Sequence, residues 1–250
     1  MTALHLADAG EAADLAAFLA RLIHYDRAAA VRLQAGGGVL AVFGRPPSFE
    51  VLAIRTARLA QDLTLDVTVS AGELLEGVQE SADRVTVPAA VTGPPWAGVL
   101  PPRGGWTRVP GLPSPETLTR AVAAAVAEFR ARDEALPPQR RTRSERDRIG
   151  REIWSRTLGD TRLPLRAVHA AQALGFLRPV RTGAGALAGS ADGGVGAAAG
   201  GGPGGAVPPG PVLLAAGGWL RLSTPYGSIA VRTVGPAGLA GLPGLTVSPV

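Results

Sequence analysis

The 250-residue chain contains no cysteine, no lysine and no asparagine. Without cysteine there is no disulfide framework, no thiolate metal site and no thiol nucleophile. Without lysine, all 25 basic residues are arginine. Lysine and asparagine are the residues of AT-rich codons, and alanine, glycine, proline and arginine take their place in GC-rich coding sequence. The isoelectric point near 11 therefore reflects the absence of Lys and Cys titration and the presence of only two Tyr, because the formal charge at pH 7 is only +5. A basic isoelectric point ordinarily directs attention to nucleic acid or membrane partners; here most of that signal is compositional. Long hydrophobic runs are also missing. No window of about 18 residues is apolar without a Gly or Pro break, so no transmembrane helix and no membrane partner are expected. Met1 to Glu11 lacks the basic-then-apolar pattern of a signal peptide, and the expected compartment is the cytoplasm.

What is present reads as an α+β protein. Asp8 and Glu11 form a capping box ahead of Leu15, Phe18, Leu19, Leu22 and Ile23, which share one helical face. That predicts a helix over 9–24. Four strands follow: Val31–Ala35, Val39–Phe43, about 50–56, and 63–69 with Leu63, Leu65, Val67 and Val69 on one face. Gly36-Gly37-Gly38 supplies the first turn. Ser70 and Glu73 repeat the capping pattern. The four strands should pair as an antiparallel meander with helices on one face, an α+β unit over 1–92.

The stretch 93–113, with Pro94, Pro95, Pro101, Pro102, Pro110 and Pro113, cannot be helix or central strand. It is expected to be an ordered strap anchored by Trp96 and Trp106. A helical region plus hairpin should then occupy 114–235. Ser114-Pro115, Thr142 with Glu145, and Pro164 open its three helices, and Gly175 stops the last. Trp219–Ser223 and Ser228–Arg232 flank Thr224-Pro225-Tyr226-Gly227 as a C-terminal hairpin. Residues 183–218 hold 14 Gly, 10 Ala and 4 Pro with Asp192 the only charge; too little apolar side chain is available to offset ordering, so a disordered insertion is expected. A loosely ordered tail should cover 236–250. Val31-Arg32-Leu33 leading to Val39-Leu40-Ala41-Val42 is echoed by Leu220-Arg221-Leu222 leading to Ile229-Ala230-Val231, the mark of a diverged duplication or of two generic hairpins.

Candidate sites are few. Residues 140–166 carry nine arginines against Glu145, Asp147, Glu152 and Asp160, whereas residues 1–100 carry seven against eleven acids. Arg141, Arg148, Arg162 and Arg166 are the candidates for holding a polyanion, with a winged helix-turn-helix as the frame. The would-be recognition helix offers only His169 and Gln172 to read bases, and the interleaved acids favour a solvated, ion-paired face. Gly183–Ala188 and Gly194–Ala199 match G-x-G-x-x-A, but without the strand and helix that a dinucleotide site requires. His5, His24 and His169 lack ligand spacing, so no metal and no cofactor are expected. No catalytic group is assigned; an enzyme with a dispersed site around His24 and Asp26 ranks last. The candidate contact residues for a protein partner are Trp96, Trp106 and Tyr226.

The Pro94–Trp106 segment and the Trp219–Arg232 hairpin resemble parts of an uncharacterised protein family of GC-rich actinobacteria, a resemblance that implies no activity and carries no catalytic residues across. The leading expectation is a non-enzymatic protein-interaction or regulatory module, and the alternative is arginine-mediated binding of nucleic acid or another polyanion.

Overall fold

In the computed structural model, residues 2–178 and 210–233 are described. The two G-x-G-x-x-A matches, most of the expected insertion and the expected tail lie outside them. Among the described residues, five α-helices form where the sequence places their caps: α1 (Ala9–Tyr25), α2 (Ala71–Glu76), α3 (Pro115–Glu134), α4 (Arg143–Trp154) and α5 (Leu165–Ala173). Asp8, Ser70, Ser114 and Thr142 each accept from the backbone N–H three residues on, satisfying one of the donors that a helix start leaves open. Gly175, at φ +75°, ends the last helix in the left-handed region that glycine enters without strain.

Among the described residues, eleven strands build two antiparallel sheets. The smaller takes β1 (Thr2–His5), β7 (Arg84–Val87) and β6 (Val78–Gln79) in that order. The larger has eight strands, ordered β5-β2-β3-β4-β11-β10-β9-β8. The four expected N-terminal strands are β2 (Ala30–Gly36), β3 (Val39–Gly44), β4 (Leu52–Arg58) and β5 (Leu65–Ser70). Only the first three form the expected meander. β5 returns to the outer side of β2, because β4 gives its second edge to β11 (Gly227–Arg232). The β4–β5 connection crosses the Gly37-Gly38 turn, where Leu59 N–H donates to the Gly38 carbonyl and Gly38 N–H to Asp62 Oδ1. This 4-1-2-3 order is a Greek key.

Two further strands fall where the sequence led away from them. β8 (Thr107–Val109) lies in the proline strap, but at the sheet edge, where missing donors cost nothing. β9 (Val212–Ala216) lies inside the stretch expected to be disordered and is instead an interior strand, paired with β8 and with β10 (Trp219–Thr224). Its Leu213 is buried, enough apolar side chain to hold a five-residue strand between two partners.

The β4–β11 pairing joins two equivalent meanders. Ala35 faces Leu40 and Gly36 faces Val39 across the Gly37-Gly38 turn; Ala215 faces Leu220 and Ala216 faces Trp219 across the Gly217-Gly218 turn. All four turn glycines have positive φ, as a two-residue hairpin loop requires. In the next hairpins Ile54 faces Phe43 and Ser228 faces Ser223, with Phe43 and Ser223 both fifth in their strands. Ile54 and Ser228 are themselves paired, so a local two-fold axis runs through them. The repeat thus relates β2-β3-β4 to β9-β10-β11, one strand away from the sequence echo of β2-β3 with β10-β11.

The two faces of the large sheet are covered differently. On one, α1 lies over β4 and α5 over β11, and the main core joins Phe18, Leu19 and Leu22 with Leu40, Val42, Val168, Leu222 and Ile229. Phe18 stacks on Phe176 at 5.8 Å. A Cβ on Gly44 would meet Leu22 at 2.7 Å, and one on Gly227 would meet the Phe176 ring at 2.5 Å; glycine lets helix and chain approach the strands there. Buried Arg55 of β4 reaches up to Glu11 and Asp14 of α1, each at 3.1 Å. The other face carries no α-helix among the described residues.

Candidate functional site

That outer face is where chemistry-bearing residues gather. Strand alternation points Phe43, Leu52, Ile54, Trp219 and Ala230 to the side away from α1 and α5, and they form a second apolar cluster. The proline strap crosses it. Trp96, Leu100 and Trp106 pack onto the cluster from above, in place of a helix. Proline makes the strap stiff, and its few free backbone donors suit a segment laid across side chains rather than along a strand edge. A 3-10 turn at Pro95–Gly98 is tied down by Arg32, whose Nη1 donates to the Ala97 carbonyl. Arg32 is held in turn by a two-pronged pair with Asp66 at 2.8 and 2.9 Å, which lowers the Asp66 pKa below the usual carboxylate range. At the other end, Trp106 Nε1 donates to the Pro102 carbonyl at 3.0 Å.

Two cavities open beside the strap. One, of about 410 Å³, is mostly apolar and lies between Trp96 and Trp219 above Leu52, with Val99 at its side and Arg45, Arg232 and Glu50 among its lining. Val99 is 46% exposed, and the Arg232 guanidinium stands 5.4 Å over the Trp219 ring. The second, of about 370 Å³, is lined by Gln34, Phe43, Ile54, Thr56, Leu100, Arg103 and Arg221. Arg221 donates from Nε to Ser228 Oγ at 2.9 Å and stands 5.7 Å from the Trp106 ring. No carboxylate lies within ion-pair distance of Arg221 among the described residues. Burial pushes its pKa below the ordinary arginine value.

Both cavities are lined from both halves of the chain, a division that comparison with known families makes concrete. One family model, Domain of unknown function (DUF8010), matches residues 1–98, and a second, Domain of unknown function (DUF8185), matches residues 101–236. The chain belongs to the DUF8185 family. No curated protein and no solved structure matches it. The DUF8010 match supplies β1 to β7 and the DUF8185 match supplies β8 to β11, so the strap crosses the boundary and the β4–β11 ladder joins the two matched segments.

The residues singled out in sequence fall in three separate places. Trp96 and Trp106 are together on the outer face, half-buried. Tyr226 lies elsewhere, in the β10–β11 turn, half-buried beneath the Arg178 guanidinium at 3.8 Å and lining a hollow with Asp8, Glu11 and Asp14 of α1. A candidate partner contact in the sequence, it is partly covered, and the Arg178–Asp14 pair holds the guanidinium over it.

The arginines of 140–166 do not converge. Arg141 donates to the Leu136 and Glu134 carbonyls at the end of α3. Arg148 pairs with Glu145 at 2.6 Å, Arg166 Nε lies 3.9 Å from Glu50, and Arg162 is exposed. Between α3 and α4, Arg132 grips Glu152 with two bonds of 2.8 Å, which holds the Glu152 carboxyl down to about 2. From the basic region itself, Arg146 pairs with Asp133 and Arg156 with Glu128, ties back to α3 of the same kind.

His24 is exposed at the end of α1, edge-on to Tyr25, and Asp26 accepts from Ala28 N–H in the following turn. No group of three His, Asp or Glu side chains is placed to hold a metal among the described residues. The residue that sequence reasoning undervalued is His169. It stacks on Trp154 at 4.3 Å and meets Phe49 edge-on at 5.0 Å, and burial lowers its pKa. Helical periodicity places it beside the buried stripe of α5, but nothing local marks Phe49 as its neighbour. Arg221 was likewise noticed only as part of a hairpin echo.

Proposed function

We propose that the chain is a non-enzymatic, cytoplasmic protein-interaction module, and that its partner docks on the outer sheet face at the Trp96–Trp219 cleft. The observation that carries this reading is the combination of an open, mostly apolar slot of about 410 Å³ with an exposed Val99 and two arginines, Arg45 and Arg232, that have no ion pair among the described residues. Aromatic walls with an arginine rim are the composition of interaction hot spots. The occupant that fits is a segment of another protein presenting one large apolar anchor flanked by acidic residues, since the two guanidinium groups outnumber the one carboxylate of the lining, Glu50. The polyanion alternative is the weaker reading, because its candidates do not converge: Arg148 pairs with Glu145, Arg166 lies 3.9 Å from Glu50, Arg141 is spent on carbonyls at the end of α3, and Arg162 stands apart.

Selection of a displayed random-peptide library on the full chain tests this. The expected result is enrichment of peptides with an aromatic or large aliphatic residue next to Asp or Glu, with binding weakened at least tenfold by Val99→Asp and by Arg45→Glu paired with Arg232→Glu. Absence of enrichment, or binding indifferent to both variants, would overturn the reading.

A further inference from the structure

The second outer-face cavity is separate from the docking cleft and has a different chemistry. Its distinguishing group is Arg221, the central-strand arginine of β10. A partly buried guanidinium is stable only when its charge is answered. The answers within the described residues are one neutral hydroxyl, Ser228 Oγ at 2.9 Å, and the face of Trp106 at 5.7 Å; neither is an anion. Comparison with the other arginines on the large sheet is instructive. Arg32, Arg55 and Arg58 each have a carboxylate within about 3 Å. Arg108 and Arg232 have none among the described residues but are exposed; Arg221 has none although it is partly buried, and it lines a cavity of about 370 Å³.

We infer that this cavity is a binding site for a small organic acid, with Arg221 taking the carboxylate and the apolar wall taking the body of the molecule. With Nε engaged by Ser228, the terminal nitrogens are left for two parallel bonds to one carboxylate. Phe43, Ile54 and Leu100 supply the apolar wall, Gln34 and Thr56 supply hydrogen-bonding groups, and exposed Arg103 stands at the rim. The volume falls in the range of small-molecule sites. A single guanidinium inside the cavity, with Arg103 only at the rim, suits a monoanion with a hydrocarbon body better than a phosphate, which asks for several donors converging on it. The site uses both matched segments of the chain, because Gln34, Phe43, Ile54 and Thr56 come from one and Arg221 from the other.

Titration of the full chain with phenylacetate, phenylacetamide and inorganic phosphate, read by intrinsic tryptophan fluorescence and by thermal unfolding, tests the inference. Phenylacetate is expected to change the fluorescence saturably and to raise Tm by about 4 °C at ten times its Kd. The amide should do neither. Arg221→Gln should weaken phenylacetate at least tenfold and Arg221→Lys less, while Trp106→Phe should diminish the fluorescence change and keep the Tm rise. Val99→Asp should leave the response intact, so failure here and failure of the docking cleft are distinguishable. Equal responses to acid and amide, a response to phosphate alone, no response, or an unaltered response in a folded Arg221→Gln protein would each overturn the assignment.

Discussion

Arg221 and His169 are both titratable groups placed among apolar neighbours, and burial lowers the pKa of each. Their consequences differ. Arginine stays charged and calls for a counterion; histidine gives up its proton. His169 is therefore neutral against Trp154 and Phe49 under conditions where the unfolded chain, with an ordinary histidine pKa near 6.5, begins to protonate. Below that value the unfolded state binds more protons than the folded one, so the stabilisation is complete above about pH 6.5 and is lost as pH falls through the folded-state pKa. Urea midpoints measured between pH 7 and pH 5 should fall in the native chain and fall less in His169→Gln. The histidines at 5 and 24 are unchanged in that comparison, and identical slopes would place the pH sensitivity elsewhere.

At the scale of elements, local chemistry was legible and pairing was not. The capping residues Asp8, Ser70, Ser114 and Thr142 and the turn glycines Gly37 and Gly38 each act over three or four residues, and each does what its type predicts. β9 was lost because Val212-Leu213-Leu214 is only a brief apolar run at the end of a Gly/Ala tract, and its order comes from β8 and β10 on either side. The β4–β11 join was hidden for a similar reason, since Leu52–Ile54 and Ser228–Ala230 are far apart in sequence. The candidate site shared that fate. Trp96 and Trp106 were visible as anchors of a proline strap, but the strap's floor, including Trp219 and Arg221, comes from the other half of the chain. If β9 is an integral strand, Leu213→Ala should cost about 2–5 kcal/mol in a denaturant titration, the penalty of a core cavity. A loss below 0.5 kcal/mol would mean that the segment is not packed there.

For the whole molecule, the outer face exists only because the two matched segments share one sheet. Their boundary lies in the strap, yet the ladder through Ile54 and Ser228 makes β4 and β11 interior strands, and each would otherwise expose an unpaired edge. Both the Trp96–Trp219 cleft and the Arg221 cavity straddle that ladder, so the proposed docking and the proposed acid binding would depend on the same join. The most direct test is native-state hydrogen exchange on the full chain across a denaturant series, read at the amides of β4 and β11. One shared sheet predicts that both strands open together, with the same free energy and the same denaturant dependence, in the global unfolding event. Separate opening of the two strands, one segment exchanging while the other stays protected, would contradict it.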